Sequence, residues 1–136
     1  MKVDRIFEIS TEAEFLALSL EVFAYQFNNS SVYRDFCQYL GKSPASVRQL
    51  EDIPFLPVEM FKIRKIKTHS GINEVSFKSS GTTGSQTSTH YVADPELYRK
   101  SFTGGFEKFY GPIGDYCLLA LLPSYLERQD SSLIYM

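Results

Sequence analysis

A hydroxyl-rich segment between two strand-like stretches is the feature that most limits how this chain can fold. Residues 79–89 carry eight Ser or Thr side chains among eleven residues, together with Gly81 and Gly84. Residues 74–78 before the segment alternate in polarity as strands do, and residues 89–92 after it resume a strand-like composition. This pattern predicts a Ser/Thr/Gly loop held between two β-strands.

The same segment has the composition of an anion site. Its glycines let the backbone reach positive φ and approach a ligand closely. Successive backbone N–H groups in such a loop can form a concave nest for an anion, and the hydroxyls add further donors. The segment is neither a Walker A loop nor a dinucleotide fingerprint, because both of those spacings are absent. On composition alone, an ordinary surface loop explains it more readily than a binding site does.

The first half of the chain has helical patterning. Thr11 and Glu14 form a capping-box pair ahead of an apolar series. Residues 28–31 break that helix and cap a second one, for which Gly41 is a natural stop. Apolar side chains line these two helices at Phe15, Leu16, Leu18, Leu20, Val22, Phe23, Phe27, Val32, Tyr33, Phe36, Cys37, Tyr39 and Leu40.

Prolines divide the middle of the chain. Ser43-Pro44 predicts the start of a short helix that runs to about Leu50. Pro54 and Pro57 then impose an extended, irregular connection.

The second half adds one long helix and a candidate buried strand. Asp94-Pro95 predicts a capped helix over residues 95–109. Residues 116–122 form a continuous apolar run, which is typical of a strand buried on both faces of a parallel sheet. We therefore predict an α/β fold in which N-terminal helices precede part of a mixed, largely parallel sheet. Residues 1–136 are interpreted as a single, incomplete domain, with a helical segment at 1–52 and an α/β segment at 53–136.

Composition excludes several classes of protein. The net charge is -2, so no overall basic field draws nucleic acid. Two cysteines, Cys37 and Cys117, form no metal-ligand spacing or disulfide framework, and both are expected to be buried free thiols. No stretch has the length of a signal peptide core or a membrane span, and we expect a cytoplasmic protein.

A short basic stretch at residues 62–67 admits two interpretations. Lys62, Arg64, Lys65 and Lys67 alternate with apolar residues there. A groove for phosphates is one interpretation, and a solvated face beside an apolar one is the favoured alternative. Nucleic-acid binding through this stretch is weakly supported, because it is a single short patch in an acidic chain.

Three pieces of the sequence carry a family resemblance. Residues 77–84 read Phe-Lys-Ser-Ser-Gly-Thr-Thr-Gly, which resembles the first core motif of adenylate-forming enzymes. Residues 53–62, Ile-Pro-Phe-Leu-Pro-Val-Glu-Met-Phe-Lys, and residues 123–133, Pro-Ser-Tyr-Leu-Glu-Arg-Gln-Asp-Ser-Ser-Leu, narrow the similarity. Together they resemble the N-terminal portion of the acyl-protein synthetases of bacterial bioluminescence, the LuxE-type family.

The resemblance implies an ATP-dependent activation of a carboxylic acid. The carboxylate attacks the α-phosphate to give an acyl-adenylate, and the acyl group then passes to a thiol of a protein or of coenzyme A. The implied cofactors are ATP and Mg²⁺. The chain has no Tyr-Gly-x-Thr-Glu segment, whose glutamate would bind Mg²⁺, so that ligand is expected beyond Met136 with the ribose contact and the adenylation lysine.

The site residues follow from the loop and from the resemblance. The loop residues expected to bind the nucleotide phosphates are Lys78, Ser79, Ser80, Gly81, Thr82, Thr83, Gly84, Ser85 and Thr87. His90 is a further possible phosphate donor, although a structural role is favoured for a single strand histidine. Tyr125 and Leu126 either border an acyl pocket or form a surface turn. No catalytic residue and no metal ligand is assigned within this chain.

An alternative function comes from a different class. A non-catalytic binding or scaffolding module would keep the loop sequence without the chemistry. The partners expected for the enzyme are a nucleotide, a carboxylic acid and an acyl-acceptor protein or coenzyme A, with no nucleic acid and no membrane span. Apolar residues close the sequence, and we expect self-association through an exposed sheet edge.

Overall fold

The chain packs as two compact units, Met1–Ser70 and Gly71–Met136. The computed structural model describes residues 3–68, 75–79, 87–119 and 130–136. Within these ranges the fold mixes α and β structure, with five α-helices and two strands. None of the helices in these ranges has the length and apolar character needed to cross a lipid bilayer.

The N-terminal unit is helical. A 3-10 turn at Val3–Phe7 precedes helix α1 at Glu12–Asn29 and helix α2 at Ser31–Tyr39. A second 3-10 turn follows at Leu50–Asp52, and the short helix α3 spans Met60–Ile63.

The predicted ends of α1 and α2 are confirmed. The Thr11 hydroxyl accepts the Glu14 amide while the Glu14 side chain accepts the Thr11 amide, which completes the capping box. Ser30 is buried and serves both helices: its amide donates to the Gln26 carbonyl of α1, and its hydroxyl caps α2. Gly41 then adopts a φ of 67°, the left-handed conformation expected of a helix stop.

The core of this unit lies where α1, α2 and the following turns meet. Phe23, Cys37 and Val47 are buried together there. Partly buried apolar side chains pack around them at Leu20, Phe27, Tyr33 and Ile53. The phenol of Tyr33 donates to the Pro54 carbonyl at 2.6 Å, which fixes the proline-rich connection against α2.

The short helix predicted from Ser43 to about Leu50 is wrong. Only one turn forms, in which the Ser46 and Val47 amides both donate to the Ser43 carbonyl at 3.0 Å. The Ser46 hydroxyl accepts the Ser43 amide at 2.9 Å and donates to the Ser43 carbonyl at 3.1 Å. The bond from the Ser43 amide to the Ser46 hydroxyl resembles a capping box and starts the turn. So short a segment makes too few backbone bonds to offset the cost of its first turn, and the helix does not continue.

The C-terminal unit contains the strands and the longest helix of that half. Strand β1 spans Val75–Lys78, strand β2 spans Thr89–Val92, and helix α4 spans Pro95–Tyr110. The Asp94 side chain accepts the Glu96 and Leu97 amides, so the predicted cap of this helix is confirmed. A 3-10 turn at Ile113–Asp115 and the short helix α5 at Ser132–Tyr135 complete the unit.

The prediction of a largely parallel sheet is wrong for the described strands. β1 and β2 pair antiparallel, with Val75 opposite Val92 and Lys78 opposite Thr89. The connection between them is too short for the crossover that parallel neighbours need, so a hairpin forms instead. That these elements are a fragment of an adenylate-forming fold remains a prediction.

The buried strand predicted at residues 116–122 is also wrong as far as it is described. Residues 116–119 have no strand structure, and Leu119 is 94% exposed. Cys117 is exposed as well, whereas Cys37 is buried as expected. An apolar run becomes a buried strand only when layers cover both faces, and the described residues do not cover this one.

Candidate phosphate-binding hairpin

The β1–β2 hairpin holds the two ends of the hydroxyl-rich segment side by side. Its register places Ser79 opposite Ser88, one step beyond the Lys78–Thr89 pair. The Ser79 amide donates to the Ser88 carbonyl at 3.0 Å, and the Ser88 amide donates to the Ser79 hydroxyl at 3.0 Å. These two bonds hold Ser79 and Ser88, which flank the centre of the segment, next to each other.

A buried polar pair lies next to this junction. Ser88 is buried, and its hydroxyl lies 3.3 Å from Nε2 of the half-buried His90. Buried polar groups need hydrogen-bond partners, and this contact supplies one for the Ser88 hydroxyl. The geometry therefore gives His90 a structural contact at the base of the loop; its role as a phosphate donor stays a prediction.

Lys78 is tied to the segment around Asp130. Its amide donates to the Asp130 carbonyl at 2.8 Å, on the side of β1 that is not paired with β2. Its ammonium nitrogen also lies 3.4 Å from a carboxylate oxygen of Asp130. The Lys78 side chain is 49% exposed, so the ion pair is accessible to water and weak enough to exchange partners.

An aromatic cluster packs against strand β1 through Phe77. Phe77 is 5% exposed, and its ring centroid lies 5.4 Å from that of Tyr98 and 5.3 Å from that of Tyr135. Tyr98 comes from α4 and Tyr135 from α5, so one β1 side chain connects three elements. Because Phe77 directly precedes Lys78 and Ser79, this packing fixes the point at which the chain enters the loop.

The structure describes only part of the predicted site. Lys78, Ser79, Thr87 and His90 lie together at the hairpin end as the register requires. The predicted residues outside the described ranges are Ser80, Gly81, Thr82, Thr83, Gly84, Ser85, Tyr125 and Leu126.

Two residues at the junction were not singled out from the sequence. Once the register of β1 and β2 is known, Ser88 is identified as the residue opposite Ser79. Asp130 carries no local signal, because it reaches β1 from more than fifty positions away in the sequence.

The described residues at the junction do not fit a Mg²⁺ site. Magnesium favours carboxylate and water oxygens in octahedral arrangement. Asp130 is the carboxylate at the junction, and it pairs with Lys78. Within the described ranges, no three His, Cys, Asp or Glu side chains come together as a metal-binding group.

The comparisons with known proteins identify the family. A family model described as "Acyl-protein synthetase, LuxE" matches residues 5–105, which is 101 of the 136 residues. The chain belongs to the LuxE acyl-protein synthetase family. This match includes α1, α2 and the complete hairpin segment, and it confirms the family resemblance.

Two relatives share the name long-chain-fatty-acid--luciferin-component ligase. The one from Vibrio harveyi is 38% identical over 63 residues, which cover 46% of this chain and 16% of the relative. The one from Photorhabdus luminescens is 35% identical over 69 residues, which cover 49% of this chain and 58% of the relative. The matched part thus spans less than two thirds of either relative. No solved structure matches the chain.

Proposed function

We propose that this chain is the phosphate-holding N-terminal portion of an ATP-dependent enzyme that activates a long-chain fatty acid. A carboxylate oxygen of the acid forms a bond to the α-phosphorus of ATP, and the bond from that phosphorus to the bridging oxygen of the β-phosphate breaks. The products of this step are an acyl-adenylate and pyrophosphate. A thiol of a protein or of coenzyme A then takes the acyl group and releases AMP.

The joined ends of the hydroxyl-rich segment are the observation that carries the proposal. Holding the leaving group requires donors at fixed positions, because preorganised donors stabilise developing charge without reorganising during the reaction. The Ser79–Ser88 pair closes the base of the segment, and Phe77 anchors it to two helices. In this proposal the contacts to the β- and γ-phosphates come from the neutral N–H and hydroxyl donors of the segment.

The Lys78 ammonium group at the base offers a phosphate one positive charge, in competition with Asp130. The Lys78–Asp130 pair is neutral as a whole and partly exposed. An incoming phosphate competes with the Asp130 carboxylate for the ammonium group, which then needs only a small side-chain movement to change partners. In this proposal Lys78 is a secondary contact, and the loop donors are the principal ones.

The fatty acid and the acyl acceptor are proposed by way of the family. The family description names an acyl-protein synthetase, and both relatives are named as ligases of a long-chain fatty acid. We extend that substrate class to the present chain because the hairpin lies within the matched region.

Calorimetric titration of the chain with ATP tests the phosphate-holding role. Ser79→Ala removes the hydroxyl that accepts the Ser88 amide and that, in this proposal, also donates to a phosphate oxygen. The loss of one hydrogen bond to the ligand is worth about 1 kcal/mol, or roughly fivefold in affinity. Ser76→Ala is the matched control, since Ser76 is exposed on the same strand and precedes the junction. Weaker ATP binding by the Ser79 variant, with unchanged binding by the control, is the expected result.

Two outcomes would contradict the proposal. One is no ATP binding by the unaltered chain, and the other is equal binding by both variants. Urea unfolding of each variant separates a lost contact from lost folding. ATP–pyrophosphate exchange with long-chain acids then distinguishes the two classes of function. Retained ATP binding without exchange in any longer protein that includes this segment would favour the non-catalytic module.

A further inference from the structure

A polar cavity of about 440 Å³ opens in the N-terminal unit, formed wholly by residues that precede the hairpin. It lies between the start of α2 and the stretch that follows α3. Its described lining residues include three basic side chains and no acidic one. They are Asn29, Ser30, Ser31, Val32, Arg34, Lys65, Lys67 and Thr68.

The start of α2 contributes donors to this cavity. Ser30 is the N-cap and is 1% exposed, so the first turn of the helix is held firmly. The amides of Ser31 and Val32 belong to the first turn, where backbone N–H groups have no acceptor within their own helix. The helix dipole adds a partial positive charge at the same end.

Arg34 adds an observation that is independent of the helix end. Its Nε atom is buried and has no hydrogen-bond partner among the described residues. Its terminal nitrogen Nη2 donates to the Asn28 carbonyl at 3.4 Å, which holds the guanidinium group beside the chain that enters α2. A buried N–H donor without a hydrogen-bond partner is costly, and an anion that accepts from it offsets that cost.

We propose that this cavity binds a phosphate group of a small phosphate-bearing ligand. A phosphate monoester carries about 1.5 to 2 negative charges near neutral pH and accepts several hydrogen bonds. Three basic side chains, three hydroxyl side chains and the first-turn amides match those requirements. The volume exceeds that of the phosphate alone and leaves room for the group that carries it.

This inference goes beyond the proposed function and does not depend on it. The hairpin junction is built from residues 77–79, residues 88–90 and Asp130, whereas the cavity is built from residues 29–34 and 65–68. It also applies the phosphate-groove interpretation to two residues of the basic stretch. Lys65 and Lys67 line the cavity, whereas Lys62 and Arg64 are not among its lining residues.

Amide resonances of the isotopically labelled 136-residue chain test the inference. The probes are inorganic pyrophosphate and ATP, each titrated separately. We expect saturable shifts at Ser31, Val32 and Thr68 with at least one probe. If ATP saturates the site at a lower concentration than pyrophosphate, the ligand is a nucleotide. If pyrophosphate saturates it at the lower concentration, the ligand is a free phosphate. Binding at the hairpin gives shifts at Ser79 and Thr87 instead, so the two proposals are read separately.

Paired double variants give the control. Lys65→Ala with Lys67→Ala removes two charges that line the cavity, and a loss of at least tenfold in affinity is expected there. Lys62→Ala with Arg64→Ala removes the same charge from the same stretch and is expected to change affinity by less than about twofold, as surface charges contribute little. Equal losses in the two variants would show a diffuse basic surface, and no saturable shift at Ser31 or Val32 would overturn the site. Binding of single-stranded RNA with equal loss in both variants would likewise overturn it.

Discussion

At the scale of single residues, the Glu14 carboxylate has the most strongly perturbed pKa among the acidic side chains that the structure describes. It accepts the Ser10 amide at 3.0 Å, the Ser10 hydroxyl at 2.9 Å and the Thr11 amide at 3.0 Å. Hydrogen bonds to a carboxylate favour its charged form. The Ser10 amide makes the largest contribution, and together these bonds lower the pKa of Glu14 from 4.5 to about 2.

This pKa gives a signed prediction for stability. Because the pKa of Glu14 is lower in the folded chain than in the unfolded chain, the charged carboxylate stabilises the fold. This stabilisation is fully present above the unfolded-state pKa of 4.5 and is lost as the pH falls toward about 2. A carboxyl titration of Glu14 by NMR should therefore give a midpoint near 2, and Ser10→Ala should raise it only in part, because the hydroxyl is removed while the Ser10 amide remains. A midpoint near 4.5 in the unaltered chain would show that the cap is not formed in solution.

The two cysteines differ in environment and should differ in reactivity. Cys37 is fully buried, and burial raises the pKa of its thiol, whereas Cys117 is exposed. Because the thiolate is the reactive form, Cys117 should react with a disulfide reagent such as DTNB at least tenfold faster at pH 8. Cys117→Ser should remove the fast phase and leave the slow one. A single fast phase of two thiols would contradict the buried position of Cys37.

At the scale of elements, Phe77 is the side chain on which the hairpin depends. It connects β1 to α4 through Tyr98 and to α5 through Tyr135. Phe77→Ala should lower the free energy of unfolding by about 3 kcal/mol, the lower end for a buried aromatic side chain. Urea unfolding measures the change, and Ser76→Ala should alter it by less than about 0.5 kcal/mol. Equal effects of the two substitutions would show that the aromatic cluster does not support the strand.

Local patterns predicted these elements well where the chemistry is local. The Thr11–Glu14 box, the Asp94 cap and the Gly41 stop each involve neighbouring residues, so the sequence contains the whole signal. The helix predicted after Ser43 stops after one turn, because so short a segment makes too few backbone bonds to offset the cost of its first turn.

Nonlocal features were harder to predict. The apolar run at 116–122 favours a parallel sheet, whereas the described strands β1 and β2 pair antiparallel. Burial of that run depends on partners that periodicity cannot supply. For the candidate site, strand register alone would have paired Ser79 with Ser88, whereas the contact between Lys78 and Asp130 has no local signature.

At the scale of the whole molecule, the family match joins the helical unit and the hairpin in one region, residues 5–105. The proposed functions are nevertheless placed in separate parts of the chain. The hairpin would hold the triphosphate of ATP, and the basic cavity would hold a phosphate group through Lys65 and Lys67. Substituting those two lysines therefore isolates the hairpin as the remaining proposed phosphate site.

The most direct test of the central claim is a phosphorus NMR titration of ATP with the Lys65→Ala, Lys67→Ala chain. If the hairpin holds the leaving group, the β- and γ-phosphate resonances should broaden and shift more than the α-phosphate resonance. Adding Ser79→Ala should reduce that effect severalfold, while adding Ser76→Ala should leave it unchanged. Unperturbed resonances, equal changes at all three phosphates, or equal spectra from the two serine variants would contradict the claim.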